Sequence, residues 1–309
     1  MKKIKTRCSF FPFFISLTFL LAIFGCSPAL AERTVNVAVS ILPQKYFVKK
    51  IGGDRVHISV MVLPGANPAT YEPKPRQMVS LTKARLYFAI GVPFEANWLK
   101  RFADVNPEMK IVVTQAGITK IPMKAGGHRH HQTKTEYRAE TTATDIMDPH
   151  IWLSPPLVMV QAKNIRDGLI KADPAGRKVY ETHYTVFMEE LKDLDLELKK
   201  VFQTTGQNLS FMVYHPSWGY FAENYGLEQI PIELEGKKPS PRKLQELIQE
   251  ARKDGIKVIF AQPQFSEKSA ETIANAIGGK VVFADPLAED WGNNMRDVAE
   301  KFKTALHRN

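Results

Sequence analysis

Cysteine is nearly missing from this chain. Its 309 residues contain two, Cys8 and Cys26, and both fall in the first 26 positions. The rest of the chain therefore has no disulfide framework, no thiolate metal cluster and no thiol nucleophile. A metal bound there must be held by His, Asp or Glu. Long apolar runs are equally scarce. Phe10 to Phe24 is one uncharged run, too short for a comfortable transmembrane span. Concentrated basic sequence is absent as well. The formal net charge is +10, and removing the leader cations Lys2, Lys3, Lys5 and Arg7 leaves +6. The remaining Lys and Arg are scattered among Glu and Asp, without a basic run or interleaved aromatics, so they read as a solvated surface and not as a nucleic-acid footprint.

The same four cations, the apolar run and the small residues that follow form an export leader, residues 1–31. Two processing routes compete. Ala29-Leu30-Ala31 fits a cleavage site that would release a soluble chain beginning at Glu32. Ile23-Phe24-Gly25-Cys26 has the form of a bacterial lipobox, which would leave the chain lipidated at Cys26 and tethered. Either route exports the protein.

From Val35 onward, short apolar runs alternate with helical patterns. Strands are expected at 35–39, 56–63, 86–90 and 110–113, with helices at 43–51, 76–84 and 95–102 between them. Pro64-Gly65, Gly52-Gly53 and Gly91 punctuate the rhythm. Strand and helix in strict alternation argue for an α/β fold with mostly parallel sheets flanked by helices. Residues 117–147 break the pattern. They are rich in Gly, Thr, Lys and His, and a loop of that length is functional or disordered. Helix resumes near Pro155.

Asp173-Pro174 then opens the longest element. Tyr180, Tyr184, Phe187, Leu191, Leu194, Leu198 and Val201 recur at steps of four and three, one continuous apolar stripe. No short crossover needs such length, so the helix reads as a strut joining two lobes, with a plain surface helix as the alternative. His183 lies off the stripe and is expected to be solvated. After it the grammar of the first half repeats, with strands at 211–214, 229–234, 257–261 and 280–284 and helices at 216–225, 241–253, 267–277 and 293–306. The division is therefore an N-terminal α/β lobe at 32–172, a linking helix at 173–203 and a C-terminal α/β lobe at 204–309.

Three residues fall at loop-to-element junctions where a side chain can face a crevice. His150 sits in Asp148-Pro149-His150-Ile151-Trp152-Leu153-Ser154-Pro155, just after the His-bearing loop. His215 follows one expected strand and Asp285 another. Ligands of open parallel sheets bind at the carboxyl ends of strands. Each residue alone could serve as an ordinary turn or cap. Imidazole and carboxylate without thiolate suit Zn²⁺, Mn²⁺ or Fe²⁺.

Here the sequence resembles the periplasmic solute-binding proteins of zinc and manganese ABC importers. The carrying stretches are 63–72 (LPGANPATYE), 148–155 (DPHIWLSP), 215–222 (HPSWGYFA), 260–264 (FAQPQ) and 284–287 (ADPL). The resemblance implies two lobes joined by a long rigid helix, metal at their interface, a monomer, no enzymatic activity, and a membrane permease and ATPase as partners. It implies His150, His215 and Asp285 as metal ligands. His128, His130 and His131 stand where zinc-type members carry a His-rich loop, and an auxiliary site is expected there. Manganese-type members commonly place Glu where His215 stands, so the zinc branch is the nearer one. One position departs from the pattern: Ala69 occupies the place of the family's first metal-binding His. Water, a loop histidine or Glu72 could fill the gap. The open position keeps an exported zinc hydrolase in view, although no His-Glu-x-x-His is present and Glu72 is the sole nameable base. An exported adhesin-like or chaperone protein with a structural metal is a third reading.

Overall fold

The computed structural model describes residues 34–123, 146–203, 209–233, 239–265 and 267–306. The expected leader lies outside them, as do His128, His130 and His131. Among the described residues, no helix is long and apolar enough to cross a membrane.

The first half builds β1 (Val35–Val39), α1 (Leu42–Gly52), β2 (Val56–Val60), α2 (Pro75–Leu81), β3 (Leu86–Ala89), α3 (Pro93–Val105) and β4 (Lys110–Val113). Helix α4 (Pro155–Ala172) closes it. The second half builds β5 (Leu209–Val213), α6 (Gly219–Tyr225), β6 (Leu227–Pro231), α7 (Pro241–Lys253), β7 (Val258–Ala261), α8 (Glu267–Ala276), β8 (Lys280–Phe283) and α9 (Trp291–Leu306). The sheet orders are β2-β1-β3-β4 and β6-β5-β7-β8, and every strand pair is parallel. The alternating α/β architecture expected from the sequence is the one observed, built twice with the same strand order.

That order decides where a ligand can sit. In each sheet the chain goes from its first strand to one neighbour, then crosses to the other side. The switch points therefore lie between β1 and β3 and between β5 and β7, where loops diverge and leave a crevice. His215 lies two residues beyond β5 and so stands at a switch point. Asp285 lies beyond β8, an edge strand.

Helix α5 (Arg177–Gln203) spans 27 residues, about 40 Å at 1.5 Å per residue. Tyr180, Phe187, Leu191, Leu194 and Leu198 of the expected stripe are buried. The helix packs against α1 and α4 on one side and α6 and α9 on the other, so it joins the lobes as a shared spine. Asp173 anchors its start, accepting from Arg55 at 2.8 Å and from the Tyr180 hydroxyl at 2.7 Å. His183 departs from the solvated role expected of it. It is half-buried, and its Nδ1 lies 3.2 Å from the Ile51 carbonyl, one of the orphan acceptors in the last turn of α1. Several boundaries also shift: β2 ends at Val60, not at 63, α2 ends at Leu81, not at 84, α6 begins at Gly219, not at Pro216, and β6 occupies Leu227–Pro231, not 229–234.

One apolar cluster runs through both lobes, and a second, around Ile259 and Ile273, belongs to the C-terminal lobe alone. Phe47 of α1 meets Trp291 of α9 edge-on, with ring centroids 5.1 Å apart. Trp152 donates its indole N–H to the Pro286 carbonyl at 2.7 Å, and Trp291 donates to the Trp152 carbonyl at 2.8 Å. Two buried indoles, each with its single donor satisfied across the joint, fix the lobes against each other.

Candidate metal centre

The N-terminal switch point is filled by its own side chains. Glu95 is buried, and its carboxylate accepts from the Ser40 hydroxyl, from Ile90 N at 2.9 Å and from Gly91 N at 2.7 Å. Ser40 is also within hydrogen-bond distance of the Tyr87 hydroxyl, at 2.7 Å. Burial pushes the Glu95 carboxyl above its usual range, and the hydrogen bonds to it act in the opposite direction. This network shapes the turn after β3, where Gly91 adopts φ +89° and an added Cβ would collide with Gln115 Oε1. The open space consequently lies further out, between the loops after β2 and β3 and the loops of the other lobe.

There a cavity of about 300 Å³ opens. Its walls are mostly apolar: Pro68, Ala69, Val92, Pro93, Trp152, Phe265 and Leu287 among others. His150 and His215 also line it. Their ring centroids are 5.2 Å apart with planes at 74°. The two imidazoles come from different lobes and meet at the joint.

Each ring is held from behind. His150 Nδ1 lies 2.7 Å from Asp148 Oδ1, which also accepts from the His150 backbone N–H at 2.8 Å. His215 Nδ1 contacts the Glu233 carboxylate. Asp148 and Glu233 are both 2% exposed. A carboxylate that takes Nδ1–H fixes the tautomer, leaving Nε2 with its lone pair for a ligand. Burial, reinforced by the neighbouring His150, pushes the His215 imidazole below its ordinary range, while Glu233 acts in the other direction. The neutral form that results is the one that binds metals.

The supports are braced in turn. Asp148 N donates to the Ile121 carbonyl at 2.9 Å, beside a short antiparallel pairing of Pro122 with Met147. The Tyr220 hydroxyl of α6 donates to the Asp148 carbonyl at 2.9 Å and accepts from Ile121 N at 3.2 Å. Burial pushes this phenol up to about 12, so it remains a donor at neutral pH. The first residue of α6 is glycine, and a Cβ there would lie 2.6 Å from Asp148 Oδ2. On the other side, Gln262 grips the His215 backbone in both directions, accepting from its N–H at 3.1 Å and donating to its carbonyl at 2.8 Å. Phe265 stacks on the His215 ring with centroids 4.5 Å apart.

The remaining expected site residues are placed differently. Asp285 does not line the histidine cavity; it faces a neighbouring one of about 340 Å³. Its Oδ1 accepts from Gln264 Nε2 at 2.8 Å and from Leu287 N at 2.9 Å. Glu72 is exposed and lines neither cavity. Ala69 lines the histidine cavity with a methyl group, in a turn closed by Ala69 N donating to Asn67 Oδ1 at 2.8 Å. Among the described residues, no three His, Cys, Asp or Glu side chains converge as a metal site. Sequence reasoning missed Glu233 and Gln264. Both follow a parallel strand at or beside the switch point, the same signal that singled out His215.

Comparison with known proteins gives this arrangement a setting. The family described as ZnuA, zinc-uptake complex component A periplasmic, matches residues 37–305. Zinc-binding protein AdcA of Streptococcus pyogenes serotype M3 is 27% identical over 303 residues, covering 96% of this chain and 58% of AdcA. The chain thus spans little more than half the length of that relative. The high-affinity zinc uptake system protein ZnuA of Bacillus subtilis is 28% identical over 283 residues, covering 88% of this chain and 86% of that one. Iron-binding protein YfeA of Yersinia pestis is 25% identical over 286 residues, covering 90% and 86%. A crystal structure of ZnuA shares 41% identity with a TM-score of 0.79, covering 88% of this chain and 99% of that one.

Proposed function

This chain belongs to the family of the periplasmic component A of zinc-uptake complexes, and from that premise we propose that it captures one divalent transition-metal ion outside the cytoplasm. It delivers that ion, as a monomer, to the permease and ATPase of an ABC importer. The cargo is Zn²⁺, with Mn²⁺ or Fe²⁺ as the alternative. His150 and His215 bind it through Nε2, and the third protein donor comes from the Gln264–Asp285 side of the cavity. The His-bearing segment 124–145 serves as an auxiliary metal site.

One observation carries this reading: two imidazoles from opposite lobes share a cavity, and each has its Nδ1 held by a carboxylate that is 2% exposed. Buried His–carboxylate pairs of this kind orient a ring toward a metal. Two imidazoles favour zinc over harder cations. Because Ala69 offers no donor, water completes a four-coordinate shell. The apolar walls keep other water out and strengthen each metal–ligand contact. A hydrolase would need a free base beside that water, and Glu72 is exposed and lines neither cavity.

The test is competitive loading. Purified protein dialysed against equal Zn²⁺, Mn²⁺ and Fe²⁺ should retain one tightly held Zn²⁺, and His150→Ala and His215→Ala should each lose it. A folded wild-type chain that retains no metal, or two variants that bind undiminished, would end this reading. Delivery is checked in cells. Growth of a deletion strain under zinc limitation should be restored by the wild-type chain and not by His150→Ala.

A further inference from the structure

Between the imidazoles and Asp285 stands a side chain with no role so far. Gln264 lines the histidine cavity and also the neighbouring cavity that Asp285 faces. Its Nε2 donates to Asp285 Oδ1 at 2.8 Å. An ionised carboxylate accepts and does not donate, so this contact fixes the amide, with NH₂ toward Asp285 and the oxygen turned from it. That oxygen is buried and has no hydrogen-bond partner among the described residues. An orphaned buried acceptor is costly, and it marks a place where an electropositive partner belongs. The backbone around it is held in place, since Gln262 clamps the His215 main chain and Phe265 stacks on the His215 ring.

We propose that the Gln264 amide oxygen is the third protein donor to the metal held by His150 and His215, with Asp285 behind it as a positioning carboxylate. The assignment rests on the metal-capture reading above and deepens it. It accounts for the position of Asp285 outside the histidine cavity. A carboxylate accepting from the amide NH₂ also draws electron density onto the amide oxygen, which makes a neutral donor more basic, much as a second-shell carboxylate does for an imidazole. An amide oxygen is harder than imidazole and suits Mn²⁺ better than a third nitrogen would. The site should therefore retain measurable Mn²⁺ affinity, and losing Gln264 should weaken Mn²⁺ more than Zn²⁺.

The experiment measures Zn²⁺ affinity by chelator competition and the visible absorption of the Co²⁺-loaded protein, which reports the ligand set. Gln264→Leu should weaken Zn²⁺ binding about 10- to 100-fold and change the Co²⁺ bands. Asp285→Asn should cost no more than about tenfold and leave the bands in place, because Asn can still accept from the amide. The double variant Gln264→Glu, Asp285→Asn reverses the donor and acceptor while keeping an oxygen toward the histidines. It should bind Zn²⁺ at least as tightly as the wild type, and it replaces Gln264→Leu if that variant fails to fold. Altered Co²⁺ bands in Asp285→Asn, unaltered ones in Gln264→Leu, or a double variant with much weaker Zn²⁺ binding would overturn the assignment. His150→Ala separates the two levels. If it leaves affinity unchanged, the capture site itself is misplaced. If it abolishes binding while Gln264→Leu has no effect, only the Gln264 assignment fails.

Discussion

Glu233→Leu isolates what a carboxylate behind an imidazole contributes. Glu233 is 2% exposed and contacts His215 Nδ1, and its backbone N–H donates to the Tyr214 carbonyl at 2.9 Å. The substitution leaves the backbone bond and most of the volume but removes the acceptor. The Nδ1–H then becomes a buried donor without a partner, at a cost of about 1–3 kcal/mol. In the metal-free protein, relief of a buried charge offsets part of that cost, so the unfolding midpoint should move little. In the loaded protein there is no such offset, because the ring must present Nε2 while its other side is unsatisfied. At about 1.4 kcal/mol per factor of ten, Zn²⁺ affinity should fall about 10- to 100-fold. Glu233→Gln, whose amide oxygen still accepts, should lose about tenfold or less. Isothermal titration at fixed pH, with thermal unfolding of the metal-free chains as control, reads both quantities. Unchanged affinity in a folded Glu233→Leu protein would refute the orientation argument and, with it, the choice of Nε2 as the donor.

Other consequences are open to measurement. Ala69→His adds a donor on the cavity wall and should raise Zn²⁺ affinity by about tenfold or more, set against the tenfold scale of a second-shell change; titration with a chelating competitor reads the gain, and no change would mean that another residue already fills the position. Gly219→Ala would drive a Cβ to 2.6 Å from Asp148 Oδ2, displacing the support of His150, so Zn²⁺ affinity should drop while the fold survives. Asp173→Asn removes the charge from a largely buried pair with Arg55 while leaving an amide oxygen to accept from Tyr180, and denaturant unfolding should show a loss of about 2 kcal/mol. Although burial acts to raise the Asp173 carboxyl, bonds from Tyr180 and Arg55 hold it below its usual range. Its stabilisation is therefore present above the ordinary carboxylate pKa and is lost as pH falls through the lowered value. The difference between wild type and Asp173→Asn should shrink below about pH 4.

The parallel architecture was readable because each βαβ unit writes itself as a short apolar run, a helical period and a Gly or Pro stop. The stripe from Tyr180 to Leu198 announced α5 for the same reason. His150 and His215 were readable from their place just outside elements. What the sequence did not reveal were relations between strand ends. The rule that ligands follow parallel strands treats His215 and Asp285 alike, yet the strand order puts one at a switch point and the other at an edge. Glu233 was hidden by a strand boundary placed too late, which made it an interior strand residue when it is a loop residue beside β5. Gln264 stood in the stretch 260–264 without a role of its own, because its meaning depends on a carboxylate 21 positions away.

The central claim is that a metal sits between the two imidazoles. Crystals grown at neutral pH with Zn²⁺ and measured at the zinc absorption edge test it directly. One anomalous peak is expected at about 2.0–2.1 Å from Nε2 of both His150 and His215, with Asp148 and Glu233 still on the Nδ1 sides. A peak elsewhere, with the two Nε2 atoms turned away from each other, would contradict the account.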